Sequence, residues 1–164
     1  MERLKLVKSL KNKKLYTRET AKMTLENVIK RIKEANRNDE FIYKITKAVL
    51  FGSYINSNKE KVGDLDIAIY IELKDKSKPE LEQNMERAST SNSYVPFILK
   101  FIYGKEEVFK YIKDKKHILQ LHDGNKMESI SSYSICIVFG CKCIFIFKKI
   151  WRNRIRKYNR SKMD

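Results

Sequence analysis

Apolar positions recur along the chain with two different periods, and each change of period marks an element. After Thr17, a residue suited to cap a helix that opens Arg18-Glu19-Thr20, the residues Ala21, Leu25, Val28, Ile32 and Ala35 follow at spacings of four, three, four and three. That spacing lines one face of an α-helix. The opposite face carries Lys22, Glu26, Lys30, Arg31 and Lys33, and Asn36-Arg37-Asn38-Asp39 closes the helix in a polar turn. An amphipathic helix packed on a core is expected there. From Ile45 to Phe51 the run ITKAVLF is too short for a helix and halts at Gly52, which reads as a buried strand. Ser53 to Gly63 is polar and reads as a loop. Asp64 to Leu73 (DLDIAIYIEL) reads as a second strand that makes a hairpin with the first.

Pro79 then opens a helix from Glu80 to about Ser89, and residues 88–93 (ASTSNS) form a loop before the restricting Pro96. Val108, Phe109 and Ile112 give Glu106 to Lys113 a helical spacing, and His117 to His122 (HILQLH) reads as a third strand before the Asp123-Gly124 turn. No internal repeat is visible. After Glu128 the character changes: Ser129 to Phe147 carries one charge, Lys142, among many Ile, Phe and Cys. A membrane span needs about 20 continuous apolar residues, and Gly140-Cys141-Lys142 interrupts this stretch. Two short β-like runs or an unordered apolar tail fit it better. It does not continue the logic of the preceding chain, and it is expected to contribute little to any site there.

Composition changes this picture mainly through charge. The 164 residues, 42% apolar, suit one domain with a modest core. Lys and Arg number 36 against 20 Asp and Glu, a net charge of +16. Residues 1–14 hold six cations and one acid (+5) and residues 148–164 hold eight and one (+7), which leaves +4 for the 133 residues between. The basicity therefore sits in two tails, of the kind that attract polyanions by counterion release or simply remain solvated. Three divisions follow: a basic tail over 1–14, a domain over 15–128, and an apolar then basic segment over 129–164. Cys136, Cys141 and Cys143 share one short stretch, which argues against a disulfide framework. The opening MERLKLVKSLKNKK has no unbroken apolar stretch, so a cytoplasmic setting is expected.

Candidate chemistry lies at Gly52-Ser53, ending one strand, and at Asp64-Leu65-Asp66, beginning the next, with ten residues between Ser53 and Asp64. Residues two apart in a strand point to the same side, so the Asp64 and Asp66 carboxylates are expected together, and two such charges repel unless a cation joins them. Mg²⁺ takes one or two carboxylates together with nucleotide phosphates. Gly52 lets phosphate approach the backbone and the Ser53 hydroxyl can donate to it, which together suggest a triphosphate seat. Either motif alone is weak, since acidic pairs on strand ends are common. The combination is not.

The segment AVLFGSYINSNKEKVGDLDIAIYIEL resembles the nucleotidyltransferase superfamily that includes DNA polymerase beta, and especially its small single-domain prokaryotic members. Their signature is an apolar strand, G-S or G-G, a spacer, then D-h-D or D-h-E on the next strand. The resemblance extends over about residues 15–125. It implies an α/β (α+β) fold, a mixed β-sheet with flanking helices. It also implies Mg²⁺ at Asp64 and Asp66, triphosphate contacts at Gly52 and Ser53, and transfer of a nucleoside monophosphate from an NTP, ATP foremost, to a protein or RNA hydroxyl. A separate protein partner is a further fold-level expectation. One feature departs from the pattern: active members place a third carboxylate on a later strand. HILQLHD has Gln120 in its middle and only Asp123 at its end.

Other residues have plainer readings. His122 reads as a packed or hydrogen-bonded histidine rather than a base, and Lys59 and Lys61 as solvated lysines in the spacer or as phosphate contacts. Trp151 and Tyr158 among Arg152, Arg154, Arg156 and Arg160 have the mixture that nucleic-acid binders use, and equally that of a basic tail. The alternative to a transferase is therefore a catalytically inactive relative that binds nucleotide, or polyanions through its tails.

Overall fold

The computed structural model describes residues 14–127 and 135–138. A two-residue strand β1 (Tyr16–Thr17) leads into helix α1 (Arg18–Arg37), whose first turn is capped by the Thr17 hydroxyl accepting the Thr20 N–H at 3.2 Å. Ala21, Leu25, Val28, Ile32 and Ala35 are all buried, as their spacing requires, and Thr24 joins them with its hydroxyl donating to the Thr20 carbonyl. Arg31 leaves the solvated face expected of it. Its Nε donates to the Tyr111 carbonyl at 2.7 Å, and its guanidinium lies over the Tyr111 ring.

Strand β2 (Tyr43–Phe51) is followed by a single helical turn α2 (Ser53–Asn56), a short strand β3 (Lys61–Val62) and strand β4 (Leu65–Leu73). Helices α3 (Glu80–Ser89), α4 (Phe97–Lys100) and α5 (Tyr103–Lys113) then cross to strand β5 (Leu119–Asp123) and a 3₁₀ turn at Gly124–Lys126. Strand β6 (Ile135–Val138) follows. The four-stranded sheet runs β5-β4-β2-β6; β2 is antiparallel to β4 and β6, and β4 is parallel to β5. A parallel neighbour needs a long crossover, which α3 to α5 supply. The result is the mixed sheet with flanking helices expected for the α+β class.

The two faces of the sheet differ. Leu65, Ile67, Ile69 and Leu119 are buried with Leu25, Val28 and Ile32 of α1 and Val108 and Ile112 of α5, so this face holds the core. Phe51, Asp66, Tyr70 and His122 alternate with them onto the other face and are only partly covered. Asn84 of α3, fully buried, joins the helices: it donates to the Tyr43 hydroxyl and the Glu80 carbonyl and accepts the Gly104 N–H, each at 2.9 Å.

Three boundaries move. The connector 53–63 is not merely a polar loop, because Tyr54, Ile55 and Val62 are buried and support α2 and β3, and β3 pairs with β1 as a separate two-stranded sheet. Helix α5 begins at Tyr103, before Glu106, because Gly104 packs against Asn84 and Ile42. The third strand is shifted to Leu119–Asp123, which leaves His117 outside it and brings Asp123 in. Of the segment from Ser129 onward, residues 135–138 pair with Lys47–Leu50 of β2. The basic tails, apart from Lys14, and Cys141, Cys143, Trp151 and Tyr158 lie outside the described residues.

Candidate active site

Phe51, the last residue of β2, pairs directly with Asp66, the second residue of β4. The next residue, Gly52, has φ 80° and ψ −157°, a conformation almost confined to glycine. Here the chain leaves the sheet and turns at once into α2. A Cβ built on Gly52 would sit 2.6 Å from Asp66 Oδ2, so the carboxylate occupies the space that a side chain would fill. Gly52 is therefore required twice, once by its own backbone and once by its neighbour. Two residues fourteen apart in sequence are thus brought into contact by the register of one strand pair.

The other side of that carboxylate is held by a residue whose importance the spacing does not reveal. His122 Nε2 lies 3.2 Å from Asp66 Oδ1, and the His122 ring packs at 5.2 Å from the Phe51 ring. In the parallel ladder Asp66 is paired with Gln120 and Ala68 with His122, which puts Gln120 and His122 on the Asp66 face. The Asp66 side chain is 21% exposed and that of His122 41%, so the pair opens to solvent rather than to the core. Only the β4–β5 register makes His122 a neighbour of Asp66, and no sequence period carries that register.

Asp123 does not join them. It pairs with Ile69, three residues further along β4 and on the core face, and its carboxylate is bound by Lys105 of α5 and accepts the Asn125 N–H. A broad groove on that side, about 1070 Å³ and walled in part by Tyr94, Leu99, Lys105 and Asp123, does not include Gly52, Asp66 or His122. Asp64 lies one residue before β4 and is partly buried; Ser53 opens α2 and is exposed, as are Lys59 and Lys61. The expected third carboxylate is thus turned to the helices, and the neutral Gln120 stands beside Asp66 instead.

This donor set fits a hard cation that brings ligands of its own. Among the described residues no group of three or more His, Cys, Asp or Glu side chains could hold a metal ion unaided. What the chain presents is a solvent-facing carboxylate at a strand end, Asp64 two residues before it, and a backbone turn without a side chain. Mg²⁺, which keeps waters and shares phosphate oxygens, suits such a set better than Zn²⁺, which takes at least three His, Cys or carboxylate ligands from the protein.

Among curated proteins and among solved structures, none matches the chain. Among protein families, the one described as Polymerase beta, Nucleotidyltransferase matches residues 26–123, a span that begins within α1 and takes in the Gly52 turn, Asp64, Asp66 and the whole of β5. That match covers more than half of the sequence, including three of the four strands of the mixed sheet, so the chain belongs to the polymerase beta nucleotidyltransferase family.

Proposed function

We infer that the chain transfers a nucleoside monophosphate from an NTP, with ATP as the donor to test first, to a hydroxyl of a protein or an RNA. The contact between Gly52 and Asp66 carries this reading, because it sets the Gly52-Ser53 turn directly against a partly exposed carboxylate at a strand end. In the transfer, the acceptor hydroxyl gives up its proton to solvent as its oxygen bonds to the α-phosphorus, the bond from that phosphorus to the bridging oxygen breaks, and pyrophosphate leaves with that oxygen. Mg²⁺, when bound, neutralises the phosphate charge. Asp66 and Asp64 would hold the cation; the Ser53 hydroxyl would donate to a phosphate oxygen; Gly52, having no side chain, lets the turn that carries Ser53 lie against Asp66. His122 fixes the orientation of the Asp66 carboxylate by the 3.2 Å contact. The protein's contribution is thus positioning and charge neutralisation, as in other phosphoryl-type transfers.

The test is label transfer. The full chain incubated with α-labelled NTPs, Mg²⁺ and cell lysate is expected to label either the protein or the RNA fraction, which also identifies the acceptor. The double variant Asp64→Ala, Asp66→Ala is expected to label neither. No transfer by the native chain, or equal transfer by the double variant, would overturn the reading.

A further inference from the structure

We propose that Arg18, the first residue of α1, is a positioning residue for the nucleotide seat and holds the Gly52-Ser53 turn against Asp66 from behind. The proposal rests on the nucleotide reading above and assigns a role to a side chain that no part of the motif contains. The Arg18 guanidinium donates to three backbone carbonyls of the connector: Tyr54 at 2.8 Å, Ser57 at 3.1 Å and Lys59 at 3.2 Å. It also lies over the Tyr54 ring, 4.9 Å from its centroid, and the Arg18 backbone N–H donates to the Glu60 carbonyl. One side chain thus spans most of the segment between Ser53 and Asp64.

Two physical points give these bonds their meaning. The turn α2 has little of its own to hold it: Ile55 and Asn56 N–H to the Gly52 carbonyl and Ser57 N–H to the Ser53 carbonyl, all beyond 3.0 Å. A single helical turn does not persist unaided, since nucleation fixes several dihedrals for few bonds. Arg18 supplies the missing bonds at the carbonyl end, while the other end of the turn abuts Asp66. The second point concerns location. A cation in the first turn of a helix opposes the helix dipole, so Arg18 is poorly placed for α1 and well placed for the connector. Pairing of β1 with β3 brings it there, with Tyr16 opposite Val62 and Thr17 opposite Lys61.

Arg31 provides an internal control. It lies on the same helix and likewise binds a carbonyl and covers a tyrosine ring, but at Tyr111 on α5, away from Gly52. The experiment measures Mg-ATP affinity by calorimetry, thermal midpoints, and amide hydrogen exchange over residues 52–63, in the native chain, Arg18→Ala, Arg18→Lys and Arg31→Ala. Arg18→Ala is expected to weaken Mg-ATP binding roughly ten-fold or more, the loss of charge-assisted bonds at a partly buried turn. Faster exchange is expected to be confined to the connector, and Arg18→Lys to fall between it and the native chain, since an ammonium reaches fewer carbonyls. Arg31→Ala is expected to lower the midpoint with affinity within about two-fold of native. Native-like affinity in Arg18→Ala would overturn the proposal and leave the nucleotide reading standing, as would equal affinity losses in Arg18→Ala and Arg31→Ala. Absence of Mg-ATP binding by the native chain would instead overturn the nucleotide reading, and this role with it.

Discussion

Gly52 and Asp66 constrain each other atom by atom, so each can be tested through the other. An alanine at Gly52 would have to adopt φ 80° and place its Cβ 2.6 Å from Asp66 Oδ2. Gly52→Ala is expected to lower stability by about 1–3 kcal/mol, read from urea denaturation, and to displace the carboxylate from His122. Asp66→Asn keeps the shape and removes the charge, so its stability is expected to stay close to native while Mg-dependent nucleotide binding is lost. Much of this was legible before the fold was known, because Gly52-Ser53 and Asp64-Leu65-Asp66 sit at strand ends in a recognisable spacing. His122 was not. Its nearness to Asp66 depends on how β5 registers against β4 across a crossover of some 45 residues, and local spacing contains no record of such a register. The same cause hid the turning of Asp123 toward Lys105: its pairing with Ile69 puts it on the face opposite Asp66, and that pairing too is set by the β4–β5 register.

At the scale of elements, the clearest predictions concern strand edges and the cap between helices. Asn36 stands at the end of α1 and closes the edge of β2 below β6, with Oδ1 accepting the Ile45 N–H at 2.7 Å and Nδ2 donating to the Ile45 carbonyl at 2.8 Å. Asn36→Ala would leave both backbone groups of Ile45 without these partners and is expected to destabilise the fold by about 1–3 kcal/mol, measured by chemical denaturation. The start of helix α1 was readable to the residue because its apolar period and its Thr17 cap agree, while its end runs to Arg37, into the expected polar turn. The connector 53–63 was not readable, since three apolar residues, Tyr54, Ile55 and Val62, are too few to show any period; they join the main core, with Arg18 over Tyr54 and Tyr16 opposite Val62. Residues 135–138 raise a related point. They pair with Lys47–Leu50 along the β2 edge that Asn36 leaves open, so a chain ending at Glu128 is expected to melt at a lower temperature than the full chain.

For the molecule as a whole, the buried Tyr43 hydroxyl contributes to the expected response to alkali. Burial pushes the Tyr43 hydroxyl up from 10.0 to about 12, a rise opposed by its hydrogen bond from Asn84 and reinforced by Glu80. The unfolded chain gives up this proton first, so as pH rises from about 10 to about 12 the unfolded state gains relative to the folded one. Stability should therefore fall across that window, and the fall should be shallower in Tyr43→Phe, which has no proton to lose; urea midpoints at about pH 9 and pH 11 check both. Charge acts on the same scale. The +12 carried by residues 1–14 and 148–164 should give the chain a polyanion affinity that drops steeply with salt and vanishes when both tails are removed. That binding is separate from the seat at Gly52 and Asp66. The seat itself is tested most directly by a thermal-shift titration of the full chain with ATP in Mg²⁺ and, in parallel, with ATP in EDTA. The expected result is a rise in melting temperature that grows with nucleotide concentration in Mg²⁺, is small in EDTA and is absent in Asp66→Asn. No shift at millimolar Mg-ATP, or an equal shift in Asp66→Asn, would contradict a nucleotide seat at this carboxylate.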